Sequence, residues 1–214
     1  MSLTQDLINL KREMDEKLPP IGRSLFENLI KDLKDQKLAE KALKVGDQIP
    51  AFSLPDGTGK LISSGELLVR GPLVISFYRG AWCPYCNLEL RALQEALPDF
   101  RSLGAELVAI SPMTPDNSLS FAEKENLDFP VLSDEGLKVA KEFGLVYTIP
   151  LEVRAFLQKV GADLTAYNGD GSWRLPMPAT YVTDHEGVVV SKVNADYRER
   201  MDPLDIYSAL QKLT

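Results

Sequence analysis

Cys83 and Cys86 are the only cysteines in the 214-residue chain, and they form a single Cys-Pro-Tyr-Cys motif. Two thiols three residues apart fall within one helical turn, where they can close and open a disulfide with little backbone movement. The motif follows an apolar, β-branched run, Leu73–Tyr78, and precedes a stretch with helical periodicity, Tyr85–Leu103. It therefore falls at a helix N-terminus, where unpaired amides and the positive end of the helix dipole favour thiolate over thiol and depress the pKa below about 8.5. Pro84 fits the first helical turn, where its missing N–H costs nothing. A structural zinc site would need two further ligands, yet there is no third cysteine and His185 is the only histidine. A static disulfide closing so short a loop would remove little unfolded-state entropy. The expected chemistry is redox chemistry of the thiol pair.

The elements that must position this pair read as an α/β domain. Candidate strands are Ala51–Leu54, Leu73–Tyr78, Glu106–Ser111, Pro130–Leu132, Ala179–Val182 and Val188–Val193, with helices at Tyr85–Leu103, Asn117–Asn126, Gly136–Phe143 and Pro203–Leu213. Asp202 caps the last helix, and Pro203 starts it. Asp184-His185-Glu186-Gly187 reads as a hairpin turn, so His185 is expected to be a solvated turn residue. Residues 148–178, rich in Gly and Pro, are expected to hold one short helix, Leu151–Val160, and then a loop over one end of the sheet. Glu89, Arg91 and Glu95 are expected on the exposed face of the helix after the motif, with Glu89 near enough to Cys86 to relay a proton as the alternative. Asn168-Gly169-Asp170-Gly171 lacks the spacing of a calcium loop and reads as a turn.

Ahead of this domain, Leu7, Leu10, Met14 and Leu18 recur at helical spacing, Pro19-Pro20 interrupts, and Leu25, Phe26, Leu29, Ile30 and Leu33 resume the stripe. Residues 1–44 are thus expected to be an N-terminal helical extension, and residues 45–214 the main domain. The extension carries nine Lys and Arg against eight Asp and Glu, so the acidity of the chain, net −7, lies in the remainder. That charge argues against nucleic acid and anionic lipid as partners. No apolar run approaches the roughly 20 residues of a membrane span, and Met1–Leu10 lacks a basic start followed by an apolar block. A cytoplasmic protein is expected.

Val45-Gly46-Asp47-Gln48-Ile49-Pro50-Ala51-Phe52-Ser53-Leu54 and Phe77-Tyr78-Arg79-Gly80-Ala81-Trp82-Cys83-Pro84-Tyr85-Cys86 resemble the opening of the peroxiredoxin (AhpC/TSA) family within the thioredoxin-fold superfamily. Leu107–Ser111, Phe129–Asp134 and Thr180–Asp184 with Gly187 continue the resemblance in order, to about Val193. It implies a thioredoxin-like fold, a central mixed β-sheet flanked by helices. Two departures stand out. The family signature Pro-x-x-x-Thr-x-x-Cys, with its cysteine at Cys86, places Arg79 at the proline and Cys83 at the threonine. No arginine stands near Leu137 and Lys138, where the family usually carries one that polarises the peroxide, and Arg79 is the candidate to replace it. Trp82-Cys83-Pro84-Tyr85-Cys86 is similar to a thioredoxin or glutaredoxin site, and Met177-Pro178-Ala179-Thr180 to that fold's cis-proline segment.

The resemblance implies a thiol-dependent peroxidase acting on hydrogen peroxide or alkyl hydroperoxides. Cys86 attacks, Cys83 resolves, Arg79 assists, and Tyr78, Trp82 and Pro178 support the site. Thioredoxin, or glutaredoxin with glutathione, would recycle the disulfide. The alternatives are a thioredoxin-like disulfide reductase, with Cys83 attacking, and a redox sensor. With no Gly-x-Gly-x-x-Gly and no phosphate loop, no cofactor is expected, and electrons should arrive by thiol exchange. A homodimer is expected by analogy.

Overall fold

The computed structural model describes residues 2–190 and 196–213. Two helices open the chain. In Leu3–Lys17 (α1) the Ser2 hydroxyl caps the first turn by accepting from the Gln5 amide. Pro20 then takes the first position of Pro20–Asp35 (α2). The apolar stripe of α2 buries Leu29, Ile30 and Leu33, while α1 buries Leu3 and Leu7. A short turn of helix, Leu38–Lys41 (α3), leads into the main sheet region.

Ser53–Pro55 (β1) pairs with Leu61–Ser63 (β2) as a small antiparallel hairpin, and Ser64–Arg70 (α4) follows, capped by Ser63. The sequence pattern predicts a single strand here, Ala51–Leu54. Strands of three residues and a helix of seven are too short to establish a period.

The core is built from Leu73–Phe77 (β3), Pro84–Ser102 (α5), Glu106–Ser111 (β4), Pro115–Glu125 (α6), Val131–Ser133 (β5) and Lys138–Glu142 (α7). Every residue of β3 is buried, as expected for a strand covered on both faces. β4 runs parallel to β3, with Leu73 opposite Glu106 and Phe77 opposite Ile110, and β5 runs parallel to β4.

Residues 148–178 hold more structure than the helix and loop expected of them. Val146–Thr148 (β6) pairs antiparallel with Arg174–Pro176 (β7), and between them lie Leu151–Lys159 (α8) and Leu164–Asn168 (α9). The Asp163 carboxylate caps α9 by accepting from the Thr165 and Ala166 amides. Such short elements, held by caps and pairing rather than by a periodic apolar face, leave Gly and Pro as the visible signal.

Ala179–Thr183 (β8) completes a four-stranded mixed sheet of order β5-β4-β3-β8, antiparallel to β3 with Phe77 opposite Ala179. The hairpin turn at 184–187 forms as read, with the Gly187 amide donating to the Asp184 carbonyl. The expected strand Val188–Val193 is reduced to single bridges, Val188 to Gln48 and Val189 to Thr183. Residues 191–193 of it lie outside the described residues. Pro203–Leu210 (α10), capped by Asp202, closes the fold.

The N-terminal helices pack onto this body. α1 lies against α5, and α2 against α8, where a Cβ on Gly22 would sit 2.6 Å from the Phe156 ring. A larger residue there would have to push the Phe156 ring aside. No helix among the described residues is long and apolar enough to cross a membrane.

Leu33 is 2% exposed on α2, whereas Ile21 on the same helix is 68% exposed. Leu33→Ala is expected to lower the free energy of unfolding by about 2–5 kcal/mol, and Ile21→Ala to leave it within about 0.5 kcal/mol. Urea midpoints of the two variants check this.

Candidate active site

β3 delivers the chain into the turn Tyr78-Arg79-Gly80-Ala81-Trp82, and α5 carries it away. Gly80 has φ 139°, and a Cβ there would lie 2.7 Å from Trp82 Nε1, so the turn requires glycine. Cys83 is the N-cap of α5, and the amides of Cys86 and Asn87 both donate to its carbonyl at 3.0 Å. Cys86 therefore stands in the first turn, directly behind Cys83.

Both thiols are free and fully buried. Cys86 Sγ lies 2.8 Å from Cys83 Sγ and donates to it. Arg79, only 4% exposed, donates from Nη2 to Cys83 Sγ at 3.0 Å. Its guanidinium stacks over Tyr197 at 3.8 Å and faces Trp82 at 5.0 Å. Arg79 has no carboxylate partner, and its Nε has no hydrogen-bond partner among the described residues. A second arginine approaches from behind. Arg200 Nη2 is 3.6 Å from Cys86 Sγ, but its Nε is committed to Glu89 Oε2 at 2.6 Å. Glu89 Oε1 accepts from Thr180 Oγ1 at 3.0 Å. This ion pair is almost wholly excluded from solvent.

The two sulfurs are driven apart in acidity. Burial opposes ionisation of Cys83, but the hydrogen bond from Cys86 and the guanidinium of Arg79 overcome it and hold that thiol well below the ordinary range. Burial, donation to Cys83 and repulsion from its charge push Cys86 well above that range, against the pull of Arg200 and Arg79. Of the two thiols, Cys83, beside the Arg79 guanidinium, is the one favoured to ionise.

The structure brings together Arg79, Trp82, Cys83 and Cys86. Tyr78 is buried behind them, stacked on Phe121 at 5.8 Å. Pro178 lies one residue beyond the Phe77–Ala179 pair, at the same end of the sheet, and is buried. The expected cis bond is absent: the described residues contain no cis peptide, and Met177-Pro178 joins β7 to β8. His185 is exposed in a turn at the opposite end of β8 from the sulfurs. Glu89 corrects the reading of the α5 surface. Arg91 and Glu95 are exposed, but Glu89 is buried, one turn from Cys86 on the stripe that continues through Leu90, Leu93 and Leu97. That i, i+3, i+4 spacing was the available signal. Arg200 and Tyr197 carried none, since Arg198-Glu199-Arg200 reads as a solvated charge run. Among the described residues no group of three or more His, Cys, Asp or Glu converges on a common point.

A dithiol at the start of the helix that follows a central strand, in a mixed sheet whose antiparallel member lies beside that strand, is the arrangement of the thioredoxin-like fold. The AhpC/TSA family model matches residues 45–192, and the chain belongs to that family. It is 32% identical over 168 residues to a chloroplastic peroxiredoxin Q of Populus jackii, covering 78% of this chain and 68% of that one. It is 36% identical over 103 residues to peroxiredoxin Bcp of Escherichia coli, covering 48% and 65%. Among solved structures, peroxidoxin BcpB of Mycobacterium tuberculosis superposes with a TM-score of 0.62 at 26% identity, covering 80% of this chain and 99% of that one.

Because a thiolate exists above its depressed pKa, the Cys83 thiolate absorbance of the reduced protein should persist from alkaline pH through neutrality and vanish only in acid. Arg79→Gln is expected to move that midpoint up toward the free-thiol value of about 8.5, with about a tenfold loss of thiolate at neutral pH for each unit by which the midpoint rises above the ambient pH. Ultraviolet pH titration measures both. Glu89→Ala leaves the Arg200 charge buried without its partner, and is expected to cost about 3–5 kcal/mol of stability in denaturant titration.

Proposed function

We propose that this protein is a thiol-dependent peroxidase in which Cys83 and Cys86 supply the two electrons. The observation that carries the reading is the full burial of both sulfurs beside a guanidinium that has a free donor. A small peroxide suits such a site, whereas a protein disulfide would have to displace the ring of Trp82 and the turn around it to reach either sulfur.

The resemblance to the family signature supports Cys86 as the attacking sulfur. The charge balance favours Cys83: Arg79 has only the thiol pair to compensate it, while Arg200 is already neutralised by Glu89. On this reading the Cys83 thiolate attacks the outer peroxide oxygen. The O–O bond breaks, Cys83 becomes a sulfenic acid, and the leaving alkoxide or hydroxide takes a proton from solvent. Arg79 Nε and Trp82 Nε1 are donors able to stabilise charge on the oxygens. The Cys86 thiol then attacks the sulfenic sulfur, the disulfide forms and water leaves. An external dithiol, thioredoxin or glutaredoxin with glutathione, returns two electrons. Residues 1–44 act as a helical extension that covers the site of the 45–214 domain.

Trapping with dimedone followed by mass spectrometry tests this. Cys86→Ser should form a sulfenic acid on Cys83 with one equivalent of peroxide and stop there, and Cys83→Ser should consume peroxide at least about a hundredfold more slowly, in line with loss of an activated nucleophile. The reverse pattern would place attack on Cys86. A wild-type protein that ignores peroxides but reduces a model disulfide would be a thioredoxin-like reductase, and the peroxidase reading would fall.

A further inference from the structure

Tyr147 is the middle residue of β6, paired with Leu175 of β7, and the alternation along 145–149 buries Leu145, Tyr147 and Ile149 while Thr148 is exposed. The Met177 amide donates to the Leu145 carbonyl at 2.7 Å, which ties this hairpin to the end of the sheet where Phe77 pairs with Ala179 and Arg79 follows. The phenol thus lies beside the Arg79 guanidinium, within electrostatic reach of both sulfurs. Tyr147 is 5% exposed, and its hydroxyl has no hydrogen-bond partner among the described residues. A buried hydroxyl left unpaired costs stability, and phenylalanine would fill the same space without that cost. Two other buried phenols lack partners as well, but Tyr78 lies near Ser111 and Tyr181 near the Leu43 backbone; of the three, Tyr147 is the one beside Arg79.

The proton that the leaving oxygen takes comes from solvent in the balance of the reaction, yet both sulfurs are shut off from water where the O–O bond breaks. A side chain has to hand it over. A guanidinium does not give up its protons and an indole N–H only donates a hydrogen bond, so Arg79 and Trp82 can steady the charge but not discharge it. The Cys86 proton is directed at Cys83 and is consumed later, when water forms with the disulfide. Glu89 is held by Arg200 and Thr180, Tyr197 presents its ring face to Arg79, and His185 is at the far end of β8. The ordinary phenol pKa of about 10 lies well below the ~15.7 of water. Transfer from Tyr147 to a leaving hydroxide is therefore downhill even though burial raises the pKa of this phenol.

We propose that Tyr147 is a catalytic residue, the general acid that protonates the leaving oxygen as the Cys83 thiolate attacks. The proposal rests on the peroxidase reading and adds a residue to it. The Cys83 sulfur bonds to the outer oxygen, and the O–O bond breaks with its electron pair going to the inner oxygen. That oxygen takes the Tyr147 proton and departs as alcohol or water. The negative charge given up by Cys83 passes to the Tyr147 oxygen and so stays beside Arg79. The tyrosinate regains a proton from solvent, Cys86 closes the disulfide as water leaves, and one solvent proton is taken up for each peroxide reduced.

Leaving groups separate this role from a structural one. Hydrogen peroxide expels hydroxide, which needs a proton, whereas peracetic acid expels acetate, which needs none at neutral pH. Rate constants for the first oxidation are measured with each oxidant in wild type and in Tyr147→Phe. The variant is expected to react with hydrogen peroxide about a hundredfold more slowly or worse, and to lose far less with peracetic acid. Its Cys83 thiolate midpoint should match that of wild type by ultraviolet titration, and its urea midpoint should be no lower, since the lost hydroxyl bonds to nothing. Equal slowing with both oxidants would reduce Tyr147 to a support for Arg79, a role that a shifted thiolate midpoint would also reveal. No slowing with either would remove it from the reaction. Both results overturn the proposal and leave the peroxidase reading in place. A wild type that hydrogen peroxide does not oxidise would sink the peroxidase reading itself, and the proposal with it.

Discussion

A guanidinium buried to 4% exposure cannot stay charged without a counter-charge, and Arg79 donates to the Cys83 sulfur with the buried Tyr147 phenol beside it. The rest of the site follows from that constraint. Cys83 must carry negative charge for Arg79 to be tolerated, and Arg79 must be present for a fully buried thiol to ionise. Tyr197 and Trp82 cover the faces of the guanidinium, where cation–π attraction replaces part of the lost hydration. Gly80 lets the turn fold tightly enough to bring Arg79 back over the helix N-terminus, and the Cys83 N-cap position adds the helix dipole to the same side of the balance. Arg200, paired with Glu89 beneath Cys86, pulls on both sulfurs, so the asymmetry between them comes from the hydrogen bond from Cys86 to Cys83 and from the contact of Cys83 with Arg79.

Oxidation acts directly on this balance. A disulfide between Cys83 and Cys86 has no charge, so closing it removes the counter-ion of Arg79 while leaving the guanidinium in place. The reduced and oxidised states then differ by the cost of an uncompensated buried cation, offset only by its ring contacts. In the proposed chemistry, the interaction that activates Cys83 also stabilises the reduced pair, which favours re-reduction of the disulfide.

Sequence patterns made the central architecture readable because its signals are local. β3 is a continuous apolar run, α5 starts with Cys-Pro and keeps its stripe for nineteen residues, and the turns at 184–187 and the Asp202 cap have specific chemistry. The small elements within 148–178 were invisible because none is long enough to show a period. At the site, the dithiol and Arg79 could be named since they lie within eight residues of one another. Glu89 sat on a visible stripe but was read by its charge, and the burial of a carboxylate becomes intelligible only once Arg200, more than a hundred residues away, is seen beside it. Long-range ion pairs of this kind leave no mark on local composition. Pro178 shows the opposite failure, in which a four-residue likeness suggested a cis peptide that the β7–β8 connection does not contain.

The segments that enclose the sulfurs come from opposite ends of the chain. α1 and α2 form one wall, and Tyr197, Arg198 and Arg200, just before α10, form the floor and rear. The Arg198–Glu27 ion pair joins these two parts at 2.6 Å, with Glu27 half exposed and Arg198 largely covered. Being partly solvated, that bridge is worth little by itself. Its role is geometric: it holds α2 beside the segment whose Tyr197 ring supports Arg79. The sheet and α5 therefore set where the sulfurs are, whereas the terminal segments set how dry they are and what can reach them. Reactivity at Cys83 depends on both, because the attraction between Arg79 and a thiolate is strong only where water is kept out.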